Sequence, residues 1–298
     1  MASALGWFFS HIWMGFADFY TAVSDPSAWL DWSNKESLIR FIYYGASIEF
    51  LFVIIDIFLV PTVIGLFWWA FMWRMVRLIE GFSNGIGRFF AWAGLIMVLQ
   101  QVMIVFLQRI FRVSEISIGP FGAVFTKDLS WFGEELKLYN AIVVALVCSY
   151  TFVQGGHVRV DLFYARVGFR FKRAIDMFGS IFFIMPTMFL IWMFGWFFMW
   201  RHLVTPKFSA SETLEKMLRK ASFLKENIET IGFSPNGFNG YFIFKMLLVS
   251  FALLMIIQGV GFFYRSLLEM IEGPESEGKY LDKDQLNDEL AETVAAIH

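Results

Sequence analysis

An all-α integral membrane protein is the fold class this sequence predicts, and three observations predict it. Of the 298 residues, 58% are hydrophobic and only 17% are charged. Mean hydropathy is +0.60. A soluble domain carries about 45–50% apolar and about 25% charged residues, so the apolar surplus exceeds what one soluble core can hold. The apolar residues also gather into runs of about 20, the length that crosses a bilayer. Together these exclude a cytosolic enzyme, a nucleic-acid binder and a disulfide scaffold. A net charge of −2 implies no bulk electrostatic steering. The one cysteine, Cys148, lies in an apolar run and reads as packing. With no second cysteine there is no intrachain disulfide and no cysteine metal cluster.

The elements follow in order. Residues 1–40 read as an aromatic interfacial segment. They are rich in Trp, Phe and Tyr, which favour the headgroup level, but carry His11, Asp18, Asp25 and Asp31. Ala4 to Tyr20 is short for a span and lacks the basic flank of a signal peptide. A short sixth span is the alternative. An extra N-terminal span is expected within 41–78, on the run Phe50 to Phe71, interrupted by Asp56 and Pro61. A four-helix transmembrane core is expected over 85–265. Its first run is Phe89 to Gln108. Its second is about Trp131 to Val153, whose first half holds Glu134, Glu135 and Lys137. Such a charged turn belongs at an interface or against protein. The third run, Ile175 to Trp200, is the strongest. The fourth, Tyr241 to Tyr264, has Lys245 close enough to its end to snorkel.

Between the third and fourth runs, apolar residues from Leu214 to Ile231 recur at helical spacing, after a capping-box pair Ser209 and Glu212. They predict an amphipathic interfacial helix over about 210–231 in the long outer loop. Residues 266–298 form an acidic tail, with eight acids and two lysines from Glu272 onward, and read as solvated and partly disordered. The two short connections on one side hold Arg74, Arg77, Arg88, Arg159, Arg166, Arg170, Lys172 and Arg173. The positive-inside rule weights short loops, so 154–174 and the C-terminus are expected in the cytoplasm.

Catalytic, cofactor-binding and metal residues are not expected. The four histidines, His11, His157, His202 and His298, avoid the middles of the secure spans, where haem ligands would be needed. No metalloprotease, nucleophile-elbow or phosphate-loop pattern occurs. The intramembrane polar residues are Asp56, Gln101 and Gln108. Asp56 follows Glu49 by seven and shares its helical face. It reads as neutral or paired across helices, with a cation or proton site as the competing reading. Gln101 and Gln108, also seven apart, are expected to hydrogen-bond across helices.

The sharpest local feature is Gln154-Gly-Gly-His-Val-Arg-Val-Asp-Leu-Phe-Tyr164. Gly155 and Gly156 end a helix and allow a tight turn. His157, Arg159 and Asp161 then alternate with Val158, Val160 and Leu162, and a basic run to Arg173 follows. Two readings stand: a turn anchored to anionic headgroups, or a docking turn for a partner. Gly156 to Asp161, with Trp131-Phe-Gly-Glu134-Glu135 before it and Ile175-Asp176 after it, resembles the small membrane subunit of tripartite ATP-independent periplasmic (TRAP) transporters. The resemblance covers roughly Gly87 to Tyr264. The N-terminal span, the loop helix and the acidic tail depart from that pattern.

The resemblance implies a bacterial inner-membrane, multi-pass subunit without cofactor. Its partners would be a large multi-span permease subunit, a periplasmic solute-binding protein and membrane lipid, with no nucleic acid. It implies sodium-coupled uptake of organic acids, with this subunit as scaffold. The competing functions are an anchor for another membrane complex, such as a redox enzyme, and a stand-alone transporter. The chain lacks the repeat symmetry and broken helices of a transporter's own midplane site.

Overall fold

The computed structural model describes residues 2–118, 125–155, 167–227, 238 and 240–284. The chain opens with α1 (Ala2–Ser24), a short α2 (Ser27–Leu30) and α3 (Lys35–Tyr44). Then come α4 (Ile48–Phe67) and α5 (Trp69–Val105), which continues through a π turn to Ile110. A hairpin of β1 (Glu115–Ile118) and β2 (Phe125–Asp128) leads into α6 (Leu129–Val153). Next are α7 (Phe169–Gly179), a π turn Ser180–Ile184, and α8 (Met185–Leu203). The loop that follows holds β3 (Val204–Thr205), α9 (Leu214–Leu218) and β4 (Lys225–Glu226), and α10 (Tyr241–Glu272) closes the bundle.

Among the described residues, five helices are long and apolar enough to cross a membrane: α4, α5 with its π turn, α6, α7–α8, and α10. This is the all-α membrane fold that composition predicted. Their limits reflect local chemistry. Ser47 caps α4 by accepting from the Phe50 N–H at 3.2 Å. Pro61 stays inside α4, and beside it the Phe58 carbonyl accepts from Thr62 Oγ1 and, at 2.9 Å, from the Tyr264 hydroxyl of α10. The span ends at Trp68, earlier than the apolar run to Phe71, because the backbone there leaves the helical region (φ −135°, ψ 82°). Pro186 lacks an N–H, and the π turn at Ser180–Ile184 precedes it without ending the span.

α5 with its π turn has 42 residues. At 1.5 Å per residue it is about 63 Å long, roughly twice the hydrocarbon thickness, so it tilts or overhangs. The stretch with Arg74, Arg77 and Arg88, expected to connect two spans, is therefore helix. α10 likewise runs two turns past Tyr264.

α1 is longer than the run Ala4 to Tyr20 and lies along α4. Trp7, Phe8 and His11 ring Phe52 at 5.7, 5.7 and 5.2 Å. Gly15 permits this approach: a Cβ there would collide with Asp56 Oδ2 and stand 3.2 Å from the Phe52 backbone. α3 caps the other end of the bundle on a tryptophan ladder of α8. Trp192 Nε1 donates to the Gly45 carbonyl at 2.7 Å, and Trp196 Nε1 to the Ile42 carbonyl at 2.9 Å.

The segment expected as one amphipathic helix is built differently. Up to Asn227 it is the five-residue α9, a 3-10 turn Ala221–Phe223 and strand β4. Met217, Ala221 and Leu224 are buried in the core beside α3, which satisfies their helical spacing without one continuous helix. Pairing of β4 with β3 competes for the backbone beyond Leu224. Ser209 and Glu212 form no cap; Glu212 instead holds Lys220 at 2.7 Å.

α10 is the central helix: 56% of its apolar window is buried, against 11–22% in the other four spans. Those four present broad apolar faces outward.

Candidate functional site

Four of the five buried charged side chains among the described residues, Glu80, Arg173, Arg265 and Glu269, gather at one end, where α5, α6, α7 and α10 meet the segment after Glu272. Arg265 is 7% exposed and holds Glu80 of α5 through two parallel contacts, Nε–Oε1 and Nη2–Oε2, each 2.6 Å. Such a bidentate fork is the strong form of the guanidinium–carboxylate pair. Its third nitrogen, Nη1, reaches Glu269 at 3.4 Å and the Lys279 carbonyl at 3.0 Å. Glu269, 1% exposed, also faces Arg173 of α7, whose Nε lies 2.7 Å from Oε2 as an ion pair. Arg173 extends the chain to Asp176 at 3.3 Å and Glu277 at 2.8 Å. The network thus links α5, α10, α7 and the residues after α10. Paired in this way, the buried charges retain ligands that water would otherwise supply.

The network sits under an aromatic lid. Trp73 Nε1 donates to Glu272 at 2.7 Å, and Lys279 reaches the same carboxylate at 3.1 Å. The Arg265 guanidinium lies 5.6 Å from the Trp73 ring centre, and Arg77 lies 5.0 Å from that of Tyr280. Gly273 (φ +94°) and Gly278 (φ +69°) adopt the left-handed backbone that folds the chain back, and the Gly278 N–H donates to Glu269 at 3.2 Å.

Beyond this turn the acidic segment docks on α5 and α6. Arg88 holds Asp282 at 2.9 and 3.0 Å and Asp284 at 2.6 and 3.1 Å. The Tyr150 hydroxyl donates to Asp284, Gln154 Oε1 accepts from the Asp284 N–H at 3.0 Å, and Asn84 Nδ2 donates to the Asp282 carbonyl at 2.9 Å. Composition suggested a solvated tail. Asp282 and Asp284 are instead held by a fork that lies nearly 200 residues away in sequence; residues 285–298 lie outside the described residues.

Hydrogen bonds from Arg88 hold both Asp282 and Asp284 below the ordinary carboxylate range, with Tyr150 adding to the effect at Asp284. A depressed folded pKa means the contact stabilises above the unfolded value and is lost as pH falls through the folded one. The docked segment should therefore stay in place from pH 8 to 5 and release only below about pH 4, the unfolded aspartate range. A spin label at Lys283→Cys, in a Cys148→Ser background, reads this as mobility. Release near pH 6 would contradict the assignment. Arg88→Gln should release the label at pH 7.

The sequence-predicted residues fall around this end and away from it. Gly155 ends α6 with φ +80°, and the position its Cβ would take is 3.8 Å from Lys283 Nζ, so the expected turn begins beside the docked segment. Gly156, His157, Arg159 and Asp161 lie outside the described residues. Glu135 accepts from Gln100 at 3.1 Å and from the Tyr139 hydroxyl at 3.0 Å. Glu134 is half-buried at the opposite end of α6. Gln100, not Gln101, makes the cross-helix bond, and Gln101 and Gln108 are exposed on the outer face of α5. A spacing of seven fixes a common face but not which face meets protein. Asp56 is 4% exposed against α1, and neither carboxylate oxygen has a hydrogen-bond partner among the described residues.

Sequence reasoning missed Glu80, Arg173, Arg265 and Glu269. A local signal existed for two pairs: Arg265 and Glu269 are four apart, and Arg173 and Asp176 three apart, the helical neighbour spacings. Among the described residues, no group of three or more His, Cys, Asp or Glu is arranged to hold a metal.

Compared with curated proteins and with solved structures, the chain has no significant match. A family model does match part of it. Residues 121–219, which take in α6, α7–α8 and α9, match the model described as the DctQ component of tripartite ATP-independent periplasmic transporters.

Proposed function

We propose that this chain is the non-catalytic small membrane subunit of a sodium-coupled, binding-protein-dependent importer of organic acids, and that it scaffolds the large permease subunit in the bacterial inner membrane. The match at residues 121–219 carries this reading, because it names a component of a tripartite transporter, which is not an enzyme class. The implied partners are a large permease subunit and a periplasmic solute-binding protein. The division of burial supports a scaffold: α10 packs inside while four spans offer apolar faces outward, to lipid and to a partner. In this reading Asp56, Gln101 and Gln108 carry neither ion nor solute, and Glu134 and Glu135 are interfacial acids. The turn and the C-terminus face the cytoplasm, on the strength of the eight basic residues beside them.

Gly155, Gly156, His157, Arg159 and Asp161 form the assembly turn. Three polar side chains alternating with valines at the headgroup boundary suit a partner helix, and Asp161 without Arg159 would lose its nearest cation. Arg159→Ala should lower recovery of the complex with the large subunit in affinity purification, and uptake should fall in proportion. Arg159→Lys should do less harm if charge alone matters, and similar harm if a bidentate contact is needed. Normal assembly with abolished transport would assign the turn to the transport cycle and end the scaffold reading. Purification of the chain without any large multi-span partner would end the proposed function itself.

A further inference from the structure

At the end opposite the ionic network, α8 and α10 bound an open groove of about 710 Å³. Thr187, Leu190, Phe194, Phe198 and Leu248 line its length, and Arg201 and Ser209 line its mouth. Arg201 is the cation of the lining, and Lys245 and Lys207 lie near it. Lys245 rests 3.5 Å from the ring centre of Phe198 and 2.5 Å from His202 Nδ1. Arg201 and Lys207 lie within electrostatic range of Lys245. Among the described residues, neither the Arg201 nor the Lys207 side chain makes an ion pair or a hydrogen bond. Of the described acids of this loop, Glu212 is engaged by Lys220, and Glu215 and Glu226 are exposed to solvent. Convergent positive charges repel one another and favour an anion between them.

The groove has the dimensions of one lipid leaflet. Thr187 to Phe198 spans about 16 Å along the helix axis, half of a hydrocarbon core about 30 Å thick. The cations stand where α8 ends at Leu203 and α10 begins at Tyr241, the level of a headgroup. We infer that this groove is a binding site for one anionic phospholipid, whose phosphate sits among Arg201, Lys207 and Lys245 and whose acyl chain lies along Leu190, Phe194 and Leu248. The charge complementarity selects an anionic lipid over a zwitterionic one with the same chains.

The full chain, stripped of lipid in detergent and offered phosphatidylglycerol and phosphatidylcholine of identical chains in equal amounts, tests this by native mass spectrometry. The expected result is one retained phosphatidylglycerol per chain, in preference to phosphatidylcholine. Arg201→Gln with Lys207→Gln should weaken that retention about fivefold for each cation removed. Lys216→Gln with Arg219→Gln, which removes the same charge from the loop after α8 at residues outside the groove lining, should leave it unchanged. Arg201→Lys keeps the charge and should retain the lipid, which separates loss of the site from loss of fold. Equal retention of both lipids by the unmodified chain would overturn the inference. So would equal loss in the Lys216/Arg219 pair, or displacement of the lipid by millimolar glycerol phosphate, which would mark a site for free phosphate.

Discussion

Arg265→Leu should destabilise the folded bundle by about 3–5 kcal/mol, the range for removing one partner of a buried charge pair. The cause is what remains. Glu80 and Glu269 are 4% and 1% exposed, and the substitution strands one carboxylate entirely and takes one of two cations from the other. Water cannot reach either group to replace the guanidinium, and an unpaired buried charge costs far more than an exposed pair returns. The Lys279 carbonyl also loses its donor, so the turn that carries the acidic segment should loosen. SDS-titrated unfolding of the detergent-solubilised chain measures the loss. Arg265→Leu combined with Glu80→Leu should recover a substantial part of it, since Glu269 keeps Arg173 and no whole charge is left stranded. An unchanged unfolding midpoint for Arg265→Leu would mean that the network contributes nothing to the fold.

The apolar part of this molecule was legible in the sequence because bilayer thickness converts composition directly into span length. Trp131 to Val153 and Tyr241 to Tyr264 each fall within an observed span, and Phe50 to Phe71 covers most of α4 but overruns its end at Phe67. The polar part was not legible, for a physical reason. In a membrane protein the charges that matter pair across helices, and Glu80 meets Arg265 across 185 positions of sequence. Arg74, Arg77, Glu80 and Arg88 lower the local hydropathy, so the first half of α5 reads as a connection. On the helix, Val76, Glu80, Ser83 and Gly87 are all buried on one side, toward α10 and α6. The acidic tail misleads in the same way, since composition counts Asp282 and Asp284 but cannot see Arg88. Of the candidate site, the structure places Gly155 just past the end of α6 with φ +80°, while Gly156, His157, Arg159 and Asp161 lie outside the described residues.

The close approach of α5 and α6 carries the last expected result. A Cβ on Gly87 would collide with Tyr150 Cβ and stand 2.5 Å from its Cγ. Tyr150 cannot swing clear, because its Cβ moves only with the α6 backbone and its hydroxyl is committed to Asp284. Gly87→Leu must therefore push α5 and α6 apart. Overpacking of this kind costs about 1–3 kcal/mol, and more where backbone has to shift. Gly87→Ala should already be felt, since the collision begins at Cβ. The displacement should spread along the helix pair in both directions. Toward the ionic end, Arg88 turns away from Asp282 and Asp284, and a label at position 283 should become mobile at pH 7. Toward the other end, Gln100 should lose Glu135, because that bond depends on the same separation. Interspin distances between labels on Gly94 and Asn140, one on each helix, measure the opening directly. The control is Gly81→Leu: nothing lies within 4 Å of a Cβ at that position, so this substitution on the same helix should leave distance and mobility unchanged. If Gly87→Leu kept both the separation and the immobile segment, the docking of the acidic segment would not depend on α5–α6 contact, and Arg88 alone would have to account for it.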